Sequence, residues 1–163
     1  VFIYPLMKRV TWWPQIFLGI TFNWGALLGW LSLSNDFSSI YPILLYLACI
    51  FWTVGYDTIY AHQDKDDDIV LNLKSSAIKL GENTKNALLI FYAIFFIIFA
   101  VILFSLSNSI IIHLAILSLL IHLVFQIIYL DIDNSDRCLK IFKSNNLLGL
   151  QISFFLILEL VIN

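Results

Sequence analysis

One segment of this chain, Tyr56-Asp-Thr-Ile-Tyr-Ala-His-Gln-Asp-Lys-Asp-Asp-Asp68, carries five of its 11 acidic residues. If one helix runs through it, each residue advances about 100°. Asp57, Asp64 and Asp68 then fall within roughly 40° on one face. Asp66 points the opposite way, and Asp67 lies at the margin. Like charges one turn apart destabilise a helix, so such a stripe calls for a compensating cation. Carboxylates suit a hard divalent ion, and Mg²⁺ typically binds to one or two of them while water and phosphate oxygens fill its other positions. Asp57, Asp64 and Asp68 are therefore candidate metal ligands and candidate catalytic residues. The competing reading is a solvated helix end balanced by Lys65.

Basic residues lie near this stripe in the expected order. Lys8 and Arg9 precede the first long apolar run, Lys74 follows the acidic segment, and Lys143 precedes the last run. Each alone reads as an interfacial anchor. Together they would ring a pocket at a membrane edge, suited to a diphosphate whose apolar tail lies in the bilayer.

The elements that must position these groups are set by composition. The chain is 61% hydrophobic and 12% charged, with a mean hydropathy of +0.91. Soluble domains run to about 45–50% and about 25%. A chain this short cannot hide so much apolar surface in one globular core, whereas a lipid bilayer can cover it. Charge-free runs predict five membrane spans, at 13–33, 38–57, 86–105, 110–130 and 146–162, each near the ~20 residues a span needs. The last is interrupted by Glu159, and 105–109 is the polar break between the third and fourth. The fold class expected is an all-α, multi-span helical bundle.

Orientation follows from the basic residues, which favour the cytoplasmic side. Lys8 and Arg9 precede the first span. Lys65, Lys74, Lys79 and Lys85 lie in the second loop, and Arg137, Lys140 and Lys143 in the fourth. These are all nine basic residues of the chain, and alternate loops of a five-span protein share one side. The segments 34–39 and 105–109 and the C-terminal end carry none. Cys49 and Cys138 form no CxxC pair, so neither a disulfide nor a metal site is expected of them. The net charge of −2 offers no basic surface for nucleic acid. The opening Val1-Phe-Ile-Tyr-Pro-Leu-Met reads as the exit of an earlier apolar helix rather than a signal peptide, and the chain is expected to be the C-terminal part of a longer protein.

Three segments resemble the UbiA superfamily of intramembrane prenyltransferases, and within it the 4-hydroxybenzoate polyprenyltransferases of ubiquinone synthesis. The first is Tyr4-Pro-Leu-Met-Lys-Arg-Val-Thr-Trp-Trp-Pro-Gln-Ile-Phe-Leu-Gly19 with Phe22-Asn-Trp-Gly25. The second is the 56–68 segment with Lys74-Ser-Ser-Ala, in which Asp64 and Asp68 match the family's DxxxD motif. The third is Cys138-Leu-Lys-Ile-Phe-Lys-Ser-Asn-Asn-Leu-Leu-Gly149. The resemblance implies residues 1–163 to be spans five to nine of a nine-helix fold, in a bacterial inner or mitochondrial inner membrane. It implies Mg²⁺ as cofactor, held by Asp64 and Asp68 with Asp57 beside them, and transfer of a polyprenyl group from its diphosphate to the ring of 4-hydroxybenzoate. Arg9 matches a family basic position and is the candidate for the diphosphate or the benzoate carboxylate, with Lys74 and Lys143 as further substrate-binding candidates. The family's other acidic motif, NDxxDxxxD, has no match here, since Asn35-Asp36 lacks the following acids and falls on the wrong side. The missing N-terminal half would carry it, and the fragment alone is expected to be inactive.

Other signals are structural. His113 and His122 fall on opposite helix faces and read as packed or hydrogen-bonded. His62 lies off the acidic face. Gly25 and Gly29 have the spacing that lets helices approach closely. Gly81 followed by Glu-Asn-Thr reads as a helix stop and a new cap, which leaves 69–80 as a short amphipathic helix over the pocket. The rival functions are a transporter, a structural membrane subunit, or a related enzyme with another aromatic acceptor. Transporters place ionisable groups near mid-membrane, and no expected span does so.

Overall fold

The computed structural model describes residues 4–33 and 38–163, and every regular element among them is helical. Asn35-Asp36 lies outside the described residues. In chain order the helices are α1 (Tyr4–Val10), α2 (Pro14–Phe22), α3 (Trp24–Leu33), α4 (Tyr41–Ala61), α5 (Lys65–Val70), α6 (Ser76–Leu80), α7 (Thr84–Leu106), α8 (Ile110–Tyr129) and α9 (Ser135–Ile162), with a 3-10 turn at Gly81–Asn83.

Four of these, α4, α7, α8 and α9, are long and apolar enough to cross a membrane. They match the second to fifth expected spans, although α4 and α9 run further at the basic end. Local chemistry sets their starts. Ser109 Oγ accepts from Ile112 N at 3.3 Å to open α8, and Asn134 Oδ1 accepts from Arg137 N at 2.9 Å to open α9.

The first expected span is not one helix. α2 and α3 meet at Asn23, and neither half is long enough to span alone. Asn23 Nδ2 donates to Gly19 O at 2.7 Å and to Thr53 Oγ1 at 2.9 Å. An asparagine whose amide bonds a backbone carbonyl competes with the helical ladder, and the partner on α4 fixes the break.

α4 is the centre of the bundle and packs against α7, α2, α9 and α3. Phe95, Ile59, Leu88, Ile112, Leu119 and Leu148 are its fully buried anchors. Close approach occurs at Gly55, where an added Cβ would lie 2.3 Å from Tyr92 Cε1, and not at Gly25 or Gly29, which have nothing within 4 Å. The small-residue spacing in α3 therefore brings no described helix near. The span window of α9 is only 11% buried, against 39% for the other three.

The acidic segment is not one helix either. α4 stops at Ala61, a turn covers 62–64, and α5 begins after Asp64. α5 ends with Asn72 in the left-handed region at φ 53°. Leu73 N reaches Asp68 O at 2.8 Å and Asn72 N reaches Ile69 O at 3.1 Å, the paired bonds of a Schellman stop. Ser75 then caps α6 by accepting from Ile78 N. The expected single helix over 69–80 is thus the end of α5, a left-handed turn and α6.

Candidate active site

The site lies where α1 meets the α4–α5 turn. Lys8 Nζ donates to both oxygens of Asp68, at 2.9 and 3.0 Å, and sits 3.9 Å from Asp64 Oδ2. Asp68 is 3% exposed and Asp57 9%. Two carboxylates thus face one ammonium, with Asp57 buried near the end of α4. The continuous helix expected under the stripe is absent, and α5 restarts with Asp64 and Asp68 turned toward Lys8 of α1.

Asp66 and Asp67 are exposed on the other side. They line a separate polar pocket with His62, Lys65 and Asp133. Among the described residues, no three His, Cys, Asp or Glu side chains come close enough to hold a metal by themselves. Asp64 and Asp68 do share one cation, the ammonium of Lys8. Two hard carboxylates are the donor type that Mg²⁺ accepts when substrate phosphate supplies the remaining oxygens, and at Asp68 a metal would take the place that Lys8 holds.

Backbone ties fix Lys8. Lys74 N donates to Lys8 O at 2.7 Å, and Lys74 Nζ donates to Val10 O at 3.1 Å. The Lys74 ammonium also lies 5.9 Å from the Trp12 ring centre. Lys74 therefore caps the C-terminal end of α1, where a cation is favoured. Arg9 and Lys143 are exposed, and neither is tied to a described side chain. Lys8 is the residue that sequence reasoning underweighted. It neighbours Arg9, and only the docking of α1 on α5 distinguishes them.

Two further contacts hold the surrounding loop. Ser76 Oγ donates to Thr58 Oγ1 at 3.0 Å. His62 Nε2 and Thr84 Oγ1 share a hydrogen bond of 2.9 Å, joining the end of α4 to the start of α7. Burial, followed by the charge of Lys65, lowers the His62 pKa to about 4, so this histidine is neutral at physiological pH. His113 and His122 are hydrogen-bonded as expected, to Ser109 O and Ser144 Oγ.

Beyond the carboxylates, aromatic rings continue into the bundle. Phe142 of α9 lies 4.8 Å from Tyr60 and 5.7 Å from Tyr56, centre to centre. Tyr56 meets Trp52 at 5.5 Å, and Trp52 stacks on Phe95. The arrangement pairs an oxygen-lined, cation-holding end with an aromatic path into an apolar interior.

Comparisons with known proteins bear on the family and the fold. The chain is 45% identical over 150 residues to the mitochondrial 4-hydroxybenzoate polyprenyltransferase of Drosophila melanogaster, covering 92% of this chain and 38% of that protein. It is 41% identical over 158 residues to the Homo sapiens protein of the same name, covering 97% and 43%. The chain therefore spans about two fifths of the length of these relatives. Its fold matches the apo structure of a UbiA homolog from Aeropyrum pernix K1 with a TM-score of 0.77 at 22% identity, covering 97% of this chain and 59% of that one. The model of the UbiA prenyltransferase family matches residues 1–155, and the chain belongs to that family.

Proposed function

We propose that these residues form the C-terminal part of an enzyme that transfers a polyprenyl group from polyprenyl diphosphate to the ring of 4-hydroxybenzoate in ubiquinone synthesis. The observation that carries this reading is the cation held between Asp68 and Asp64 at the end of an apolar bundle. A diphosphate needs cations, and its tail needs an apolar path; both meet here. The acceptor is taken from the names of the relatives. Those names also support a mitochondrial membrane, with the basic end facing the matrix.

Asp64 and Asp68 are the proposed ligands of Mg²⁺, with Asp57 behind them. When bound, the metal supplies electrostatic stabilisation of charge on the leaving diphosphate. Lys8 adds a second positive charge at the same place and donates hydrogen bonds to phosphate oxygens. Arg9 offers an unengaged guanidinium for the diphosphate or the benzoate carboxylate, and Lys143 a further cation near α9. Lys74 contributes by holding α1, and so Lys8, in place. The carbon–oxygen bond to diphosphate breaks with both electrons leaving on oxygen. The ring carbon beside the hydroxyl of 4-hydroxybenzoate bonds the allylic cation, and loss of its proton restores aromaticity. The remaining acidic motif, NDxxDxxxD, is proposed to lie in the part of the protein outside residues 1–163. A transporter reading has less support, since α4, α7 and α8 carry no charged residue near mid-span.

The test is incorporation of labelled 4-hydroxybenzoate into lipid-soluble product by the full-length protein. Asp64→Ala and Asp68→Ala should each lower turnover at least 100-fold. Asp66→Ala should change it less than threefold, because Asp66 lines the other pocket. Equal loss at all three positions would replace the site by a diffuse charge effect.

A further inference from the structure

Below the carboxylates, one face of α4 is distinguished by its exposure. From Trp52 to Tyr60 only Trp52, Tyr56 and Tyr60 remain part-open; the six residues between them are buried. These three lie one turn apart, so they form a single stripe running from the level of Asp57 into the span.

The lowest ring of that stripe is held by an unusual number of polar groups. Trp52 Nε1 donates to Asn145 Oδ1 at 3.0 Å. The same oxygen accepts from Gln126 Nε2 at 3.1 Å, and Gln126 Oε1 accepts from the Tyr92 hydroxyl at 2.5 Å. The chain of bonds takes one side chain from each of α4, α9, α8 and α7. Gln126 is 0% exposed, Tyr92 2% and Asn145 8%. Polar side chains inside a membrane bundle are costly unless satisfied, and they mark functional positions. Packing alone would be served by leucine or phenylalanine. Gln126 Nε2 also donates to the part-open Ser144 Oγ at 3.1 Å, and the one partly open ring the network holds is the Trp52 indole, which Phe95 backs with a ring stacked at 12°.

We propose that Trp52 is the donor-contacting wall of this site. On this view, the indole face lies against the first isoprene units below the diphosphate, and Asn145, Gln126 and Tyr92 act as positioning residues that fix its angle. The proposal rests on the prenyl-transfer reading above and adds a specific residue to it. Tyr56 and Tyr60, edge-on or tilted against their neighbours, line the shorter distance between Trp52 and the carboxylates. An electron-rich ring face there also favours a developing allylic cation.

Full-length protein in nanodiscs, with Mg²⁺ and polyprenyl diphosphates of differing length, tests this. Trp52→Leu should lower kcat/KM for the donor at least 20-fold while leaving KM for 4-hydroxybenzoate within twofold. Trp52→Phe keeps a ring but loses the N–H, and should lose about fivefold. Asn145→Leu should match Trp52→Phe, and the double variant should be no worse than either, because the network acts only through the indole. Independently of turnover, a non-reactive thiolo-diphosphate analogue should perturb tryptophan fluorescence in the parent protein and not in Trp52→Phe. Unchanged donor kinetics in folded Trp52→Phe and Trp52→Leu, with only the melting temperature lowered, would make Trp52 a packing residue. An analogue-induced fluorescence change that persists in Trp52→Phe would also overturn the proposal. If Asp64→Ala abolishes transfer while the Trp52 variants retain it, the inference fails and the prenyl-transfer reading stands.

Discussion

The Lys8–Asp68 contact makes the sharpest energetic prediction. Asp68 is held by a bidentate ammonium, and its side chain is 4% exposed against 28% for Lys8. Lys8→Met leaves that carboxylate buried with no counter-charge. Breaking a fully buried pair costs about 3–5 kcal/mol, most of it the penalty on the charge left behind. Lys8 reaches solvent at one end, so the cost falls below that range, to roughly 2–3 kcal/mol. Asp68→Asn removes the charge and keeps a hydrogen-bonding group of the same shape. It should cost roughly 1 kcal/mol. In the double variant neither charge remains, and stability should recover to within about 1 kcal/mol of the parent. The coupling energy in the cycle is then roughly 2 kcal/mol.

The assay is denaturant unfolding of the full-length protein in detergent, with all four members of the cycle measured under one condition. Adding Mg²⁺ should shrink the cost of Lys8→Met, since another cation then serves the carboxylates. Additive single effects would show that Lys8 and Asp68 do not hold each other, and the site as described would lose its organising contact.

Two further substitutions probe the frame. Gly55→Ala would drive a methyl group to 2.3 Å from Tyr92, a buried ring that cannot retreat without leaving Gln126. It should destabilise by about 1–3 kcal/mol, and by much less in a Tyr92→Leu background; thermal melts of the four proteins decide this. His62 provides the pH test. Its folded pKa is lowered to about 4 from 6.5, so the unfolded chain takes up the proton first. Its contribution is complete above about pH 6.5 and is lost as the pH falls toward 4, by roughly 2–3 kcal/mol. His62→Gln should flatten that limb of the stability–pH curve, and an unchanged limb would assign it to other groups.

Charge-free runs made the spans legible, because a bilayer demands length and apolarity whatever the tertiary contacts. Breaks inside spans were not legible. Asn23 sits in an apolar run, and its effect depends on Thr53, thirty residues away. Helical periodicity put Asp57, Asp64 and Asp68 on one face, and the last two meet at Lys8. The backbone reaches this by stopping at Ala61 and restarting at Lys65. A turn and a new helix can preserve the facing of side chains that a continuous helix would also align. Period alone cannot tell the two routes apart. The choice between Lys8 and Arg9 was equally hidden, since adjacent residues point about 100° apart and only the docking of α1 selects one.

The loop around the site is secured differently from the bundle. Ile69, Val70 and Leu71 are 55%, 83% and 66% exposed, so apolar burial does little to hold α5. Its placement comes from Lys8 on Asp68, Lys74 on the end of α1, and Ser76 on Thr58. Polar ties of this kind are strong where they are dehydrated and yield where a competing ion or phosphate offers equal partners. The bundle below is fixed by packing, which has no such competitor. A rigid apolar frame carrying an exchangeable polar clasp is what a site needs if it must admit a charged head group while its tail stays in the membrane. The same division places the clasp in α1, the 64–76 segment and the last turn of α4, while the aromatic path runs deeper along α4, α7 and α9.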